Sequence, residues 1–159
     1  MSKSKGSSAD FVDSCVDIAA TKCDYSDAGR LVLAPMVRAC SLPFRELCYE
    51  LGADVCYGPE VVDLKLRGEA SHRVTKCGGC VAEWVYDKDG SSVFSTLTER
   101  TRPVVFQLGT ATAEGAVEAA RAVADDVDGL DVNLGCCVHF STQGGMGSAL
   151  AESPDTVRE

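Results

Sequence analysis

The chain has 159 residues, of which 45% are hydrophobic and 25% are charged, and its formal net charge at pH 7 is −9. This composition suits a folded protein of ordinary domain size and excludes disorder of the whole chain. No apolar run approaches the roughly 20 residues of a membrane-spanning helix, and the negative charge argues against nucleic-acid binding by this segment alone. The N-terminus has no apolar segment behind its lysines, so we predict no secretory signal and a cytoplasmic location, with the nucleus as the alternative.

The nine cysteines are scattered apart from two close pairs. An odd count without regular spacing indicates reduced thiols and not a disulfide framework. Cys77 and Cys80 have the spacing of half a zinc site, but no second pair follows, and His72 and His139 are the only histidines. We therefore predict no metal site.

In chain order, residues 1–28 are polar or weakly amphipathic and predict a flexible N-terminal tail. Residues 31–34 form an apolar run that stops at Pro35, which predicts a short buried strand. Ser41 is a suitable N-cap for a helix that ends at Gly52. A second strand is predicted at residues 53–57.

Farther along the chain, residues 60–67 predict a short helix and residues 68–80 an irregular segment. Residues 81–86 and 92–96 alternate in polarity around an Asp-Lys-Asp-Gly turn, which predicts a β-hairpin. The remaining core elements are a strand at 103–107, a helix at 112–125 and a strand at 129–133. A glycine-rich loop and the start of another helix follow.

This alternation of strands and helices indicates an α/β fold with a parallel sheet. The strand ends are polar, as they are at the catalytic face of a (β/α)₈ TIM barrel. We predict that residues 29–159 form the N-terminal half of such a barrel, with the β-hairpin inserted. Four of eight strands would leave two open apolar edges, so we expect the chain to be cut short.

The loop after the fourth core strand carries the strongest functional signal. Asn133 and Cys136 stand just beyond the strand end and precede a Gly-Gly-Met-Gly segment. A polar amide and a thiol at this position suit a catalytic face. The alternative is a glycine-rich connector that happens to contain a thiol.

Several segments, in this order, resemble the dihydrouridine synthase family, flavoenzymes that reduce uridines in tRNA. The resemblance is closest to the eukaryotic branch that acts on position 20 of the D-loop, and it spans residues 31–159. It rests on these segments: Leu33-Ala-Pro-Met-Val-Arg38, Leu42-Pro-Phe-Arg45, Gly52-Ala-Asp54, Glu60-Val-Val-Asp-Leu-Lys65, Val105-Phe-Gln-Leu-Gly109 and Asp131 to Leu150.

The resemblance implies FMN as cofactor, NADPH or NADH as reductant and tRNA as substrate. Pro35 and Met36 would lie against the isoalloxazine ring, and Gln107 would hydrogen-bond its pyrimidine edge. Asn133 would lie near the flipped-out uracil.

By the same resemblance, Cys136 would be the general acid that protonates one uracil carbon while hydride reaches the other. Arg38, as a substrate-binding residue, and Arg45 would contact phosphate or a loop, with a structural role for each as the alternative. We interpret Glu60 as a solvated residue at the start of a helix.

Two departures from the family pattern stand in the cysteine loop. The family places proline directly after the catalytic cysteine, whereas this chain has Cys137. Basic residues common in the loop are replaced by Val138 and Gln143. Two other functions therefore stay open: another flavin-dependent TIM-barrel oxidoreductase, or a catalytically inactive half-barrel that acts as a binding or structural subunit.

Overall fold

The computed structural model describes residues 29–159, so the predicted tail at residues 1–28 lies outside the described residues. The seven strands of this part are β1 (Val32–Leu33), β2 (Val55–Val62), β3 (Ser71–Lys76), β4 (Val81–Tyr86), β5 (Ser91–Leu97), β6 (Val104–Gly109) and β7 (Gly129–Val132). Its α-helices are α1 (Leu42–Glu50), α2 (Ala113–Val123), α3 (His139–Gln143), α4 (Ser148–Ala151) and α5 (Pro154–Arg158). No helix within residues 29–159 is long and apolar enough to cross a membrane.

Four strands form a parallel sheet in the order β1-β2-β6-β7. The register pairs Leu33 with Cys56 and Cys56 with Val104, and it pairs Gln107 with Asp131. Helix α1 connects β1 to β2, and α2 connects β6 to β7. The carboxyl ends of all four strands therefore meet at one edge, as predicted for part of an α/β barrel.

The connection from β2 to β6 differs from the prediction. Strand β2 continues to Val62, and only a 3-10 turn at Asp63–Lys65 follows it, so the predicted helix at residues 60–67 is wrong. The register shifts between Tyr57 and Glu60. This irregularity accommodates Pro59, which has no N–H to donate to the ladder, and buried Val61 then resumes the strand.

The predicted hairpin is present as β4 and β5, but it belongs to a three-stranded antiparallel sheet in the order β3-β4-β5. Residues 68–80 were predicted to be irregular, whereas β3 occupies residues 71–76 and pairs with β4. The sequence pattern of β3 is weak because Val74 is its single strongly apolar residue. Cys77 and Cys80 lie exposed in the turn after this strand.

The core lies on the side of the parallel sheet that faces α2 and β5. Val104, Phe106 and Leu108 alternate along β6 and are all buried. The rings of Phe94 and Phe106 meet edge to face with their centroids 5.0 Å apart, a favourable aromatic arrangement. The intervening residue Gln107 lies on the opposite side of β6, toward the interior expected for a barrel.

Candidate active site

The loop after β1 holds Pro35 and Met36 at the carboxyl edge of the sheet. The Met36 carbonyl accepts hydrogen bonds from the N–H groups of Ala39 (3.2 Å) and Cys40 (3.1 Å). The Cys40 thiol donates to the Ala34 carbonyl and accepts from the Met36 N–H. Burial raises the pKa of this thiol, which favours the protonated form needed for that donation.

This loop presents Met36 outward. The residue is 41% exposed, so its side chain does not fill the core. A soft, flexible thioether exposed at the edge of a sheet suits contact with a flat ring. Pro35 is half-buried beside it.

Gln107 lies near the end of β6 and is only 9% exposed. Its Nε2 donates to Oδ2 of Asp131 on the neighbouring strand at 2.7 Å. The Asp131 carboxylate therefore orients the amide. The carbonyl oxygen and second N–H of Gln107 have no hydrogen-bond partner within residues 29–159 and remain for a ligand. A donor next to an acceptor matches the edge of a pyrimidine-type ring.

Glu60 of β2 lies in register with Gln107. Its Oε1 atom is so near Gly109 that a Cβ atom there would approach it to 2.7 Å. Glu60 was interpreted from the sequence as a solvated helix start, and this interpretation is wrong because the residue is a half-buried strand residue. A polar row of Glu60, Gln107 and Asp131 thus crosses three adjacent strands.

Asn133 follows β7 directly, and its N–H donates to the Leu108 carbonyl at 2.9 Å. Its Oδ1 accepts from the backbone N–H groups of Gly135 (2.9 Å) and Cys136 (3.0 Å). This Asx-type turn fixes the start of the loop. Within residues 29–159 the Nδ2 group has no hydrogen-bond partner, so this donor remains for a ligand.

The far end of the loop returns to Cys136. The Ser148 N–H donates to the Cys136 carbonyl at 2.9 Å. Gly147 has φ 62°, and a Cβ atom there would lie 2.3 Å from the Cys136 carbonyl oxygen and 2.9 Å from its Cβ. Only glycine fits so close to the cysteine, so the Gly-Gly-Met-Gly segment packs directly against the backbone of Cys136.

The Cys136 thiol is free and half-buried, whereas that of Cys137 is exposed. The buried Ser141 hydroxyl has no hydrogen-bond partner among the described residues. Its oxygen would lie 2.9 Å from a Cβ atom placed on Gly147, so it is close to the same loop. Sequence reasoning missed Ser141, since a lone serine in a polar loop gives no signal.

Arg38, predicted to contact substrate, lies on the exposed surface of the β1 loop with φ 67°. The structure thus brings Gln107, Asn133 and Cys136 together on β6, β7 and the loop that follows. Pro35, Met36 and Arg38 lie at the same edge, in the loop after β1, and β2 separates β1 from β6.

Comparisons with known proteins agree with this geometry. The profile of the family described as Dihydrouridine synthase (Dus) matches residues 32–159. The tRNA-dihydrouridine(20) synthase [NAD(P)+] of Saccharomyces cerevisiae is 41% identical over 140 residues, covering 82% of this chain and 35% of the relative. Its counterpart in Schizosaccharomyces pombe is 40% identical over 135 residues, covering 84% of this chain and 28% of the relative.

The tRNA-dihydrouridine(16/17) synthase [NAD(P)(+)] of Schizosaccharomyces pombe is 35% identical over 132 residues, covering 81% of this chain and 29% of the relative. The chain therefore spans about a third of the length of these curated relatives. The family match covers all four parallel strands, the helices between them and the cysteine loop. On these grounds the chain belongs to the dihydrouridine synthase family.

Proposed function

We propose that this protein reduces a uridine in the D-loop of tRNA, at position 20, to 5,6-dihydrouridine. The observation that supports this most strongly is the placement of the Cys136 thiol, which Asn133 and Gly147 hold just beyond the carboxyl end of β7. The names of the two relatives with about 40% identity support the same substrate position. We expect the reaction in the cytoplasm, with the nucleus as the alternative.

FMN is the proposed cofactor, and the donor set fits it. Gln107 offers an acceptor and a donor held by Asp131, and Met36 offers an exposed apolar surface at the same edge. Pro35 would extend that surface. When bound and reduced by NADPH or NADH, the flavin supplies a hydride to one carbon of the uracil double bond.

Cys136 completes the reduction by giving its thiol proton to the other carbon, and the thiolate takes a proton back from water afterwards. A general acid must carry its proton when it meets the substrate, so this role requires the thiol and not the thiolate. The Nδ2 donor of Asn133 would hold a carbonyl oxygen of the flipped-out uracil. Hydride and proton together account for the two hydrogens that uridine gains.

Cysteine substitutions in the purified protein test this proposal. The assay uses tRNA that lacks dihydrouridine and measures the reduced nucleoside by mass spectrometry after digestion. Cys136→Ala should keep flavin content and flavin reduction by NADPH but lose dihydrouridine formation. Cys137→Ala is the matched control and should retain product formation, because that thiol is exposed and has no place in the reaction. Undiminished product from Cys136→Ala would contradict the proposal.

A further inference from the structure

A cavity lies beside the β1 loop, between the start of α1 and strand β5. Its volume is about 210 Å³, and its polar lining consists of two arginines and three serines: Arg38, Arg45, Ser41, Ser92 and Ser95. None of the lining residues is acidic. A cationic cavity stands out in a chain whose net charge is −9.

Arg45 is the most unusual residue of this cavity because its side chain is fully buried. Two of its nitrogens donate to the carbonyls of Cys40 (2.7 Å) and Ser95 (2.5 Å). Its Nε has no hydrogen-bond partner among the described residues, and no carboxylate in that part of the chain forms an ion pair with it. The guanidinium also lies over the Phe94 ring, with Cζ 5.2 Å from the centroid. A buried cation whose hydrogen-bond partners are all neutral retains the capacity to attract an anion.

The N-terminus of α1 adds to this positive field. The helix has nine residues, its first turn contains no acidic residue, and Ser41 makes no side-chain cap. The unpaired N–H groups of the first turn favour a negative charge at this end. Arg38 is exposed and lines the same cavity.

We propose that this cavity binds a phosphate group, with a backbone phosphodiester of the RNA substrate as its source. The source follows from position, because Arg38 is only two residues from Met36 and lies on the same loop. A phosphate held here would flank a base that lies over the carboxyl edge of the sheet. The choice of RNA as the ligand rests on the proposed function. The nicotinamide nucleotide is the other molecule that could supply a phosphate group to this cavity.

Two substitutions test the site without disturbing the fold. Arg38→Asn removes the charge and keeps a residue that tolerates the left-handed backbone at φ 67°. Ser41→Asp places a carboxylate at the cavity and is also a better N-cap partner for the helix dipole. The second variant should therefore unfold at an equal or higher temperature while binding phosphate more weakly, a combination that a merely structural role would not produce.

The readout is the affinity of the purified protein for fluorescently labelled tRNA across a range of KCl concentrations. In Arg38→Asn the slope of log K against log[KCl] should become less steep by about one unit, which corresponds to the loss of one phosphate contact. Arg38→Lys keeps the charge and should retain most of the slope. Arg158→Asn is the charge-matched control. Arg158 is exposed on α5 beyond β7, at the opposite end of the sheet from β1, and its loss should leave the slope unchanged.

The same variants are titrated with NADP⁺ to separate the two sources of phosphate. An unchanged tRNA slope together with weakened NADP⁺ binding would overturn the RNA assignment and give the site to the nicotinamide nucleotide. No change in either measurement would overturn the phosphate site itself. Because tRNA binding is measured without turnover, a protein that binds tRNA through Arg38 but forms no dihydrouridine would refute the proposed reaction and not this site.

Discussion

The Oδ1 atom of Asn133 accepts a hydrogen bond from the backbone N–H of Cys136 at 3.0 Å, so the residue that ends β7 also holds the cysteine in place. A second bond, from the Gly135 N–H at 2.9 Å, closes the same turn. The side chain thus has two separable parts: an oxygen that shapes the loop and a nitrogen that faces no protein partner within residues 29–159.

This division predicts different outcomes for two substitutions of Asn133. Asn133→Asp keeps an acceptor for both N–H groups and should keep the stability of the protein, but it removes the Nδ2 donor and should lower the rate of dihydrouridine formation. Asn133→Ala removes both parts and should also lower the free energy of unfolding by about 1 kcal/mol. Urea unfolding and the tRNA assay measure the two effects. Equal stability of the two variants would contradict the role of the oxygen.

Gly147 gives a second prediction, because its close approach to Cys136 leaves no room for a side chain. Gly147→Ala should reduce stability through both its left-handed backbone and the contact at 2.3 Å with the Cys136 carbonyl oxygen. Gly68→Ala is a matched control, since Gly68 has a similar φ of 58° but no heavy atom within 4 Å of its Cβ position.

Both glycine variants carry the cost of a positive φ, on the order of 1–3 kcal/mol for a residue with a Cβ atom, and Gly147, with ψ −129°, lies in the more restricted region. The overpacking adds about 1–3 kcal/mol for Gly147→Ala alone. Thermal unfolding should show the difference, and mass-spectrometric mapping of alkylated thiols should show altered reactivity of Cys136 only in that variant. Equal losses in the two variants would mean that the loop adapts without strain.

The parallel sheet and the cysteine loop could be predicted from sequence because their signals are local. Apolar runs ending in polar residues indicate the strands, and Asn133 and Cys136 stand at a fixed offset beyond one of them. The predicted burial of the first strand is wrong, because Leu31 is 58% and Val32 is 47% exposed. Gln107 was also predicted correctly to lie on a core strand, β6. Its contact with Asp131 required the register between β6 and β7, which no local pattern specifies.

The predictions from sequence are wrong where tertiary contacts override local patterns. Strand β3 is mostly polar, and its pairing with β4 supplies the order that its own sequence does not indicate. The second strand was predicted to end at residue 57, but the register shift between Tyr57 and Glu60 lets β2 continue to Val62. The full burial of Arg45 was equally unpredictable, since arginine is normally exposed.

Asp126 joins the antiparallel sheet to the end of α2 and gives a third prediction. Its buried carboxylate accepts two hydrogen bonds from Arg73, at 2.7 and 2.8 Å, and one from Trp84 Nε1 at 3.0 Å. Asp126→Ala leaves the indole N–H without its acceptor and should cost about 1–3 kcal/mol. Asp125→Ala removes an exposed neighbouring carboxylate and serves as the control.

Trp84 is the chain's single tryptophan, so its fluorescence reports on this junction. The emission maximum of Asp126→Ala should shift and its urea midpoint should fall, whereas Asp125→Ala should match the unchanged protein in both. A wild-type urea midpoint in Asp126→Ala would show that the antiparallel sheet does not depend on this carboxylate.

Stability should also fall at alkaline pH, because burial raises the pKa values of Cys40, Cys56 and Tyr49. A raised pKa means that the folded protein holds its proton at a pH where the unfolded chain has released it. The stabilising contribution is therefore complete below the ordinary pKa values, about 8.5 for thiols and about 10 for tyrosine. It is lost progressively as pH rises above them toward the raised pKa values of the folded protein.

Tyr49→Phe isolates the phenol's share of this effect. The Tyr49 hydroxyl donates to the Pro103 carbonyl and accepts from the Cys56 N–H at 3.1 Å. Its loss should cost only about 1 kcal/mol at pH 7, since the Cys56 N–H also has a bond of 3.4 Å to the Pro103 carbonyl. Urea midpoints at pH 7, 9 and 11 should then fall less steeply in this variant above about pH 10. Parallel profiles for the two proteins would show that ionisation of Tyr49 does not contribute to alkaline unfolding.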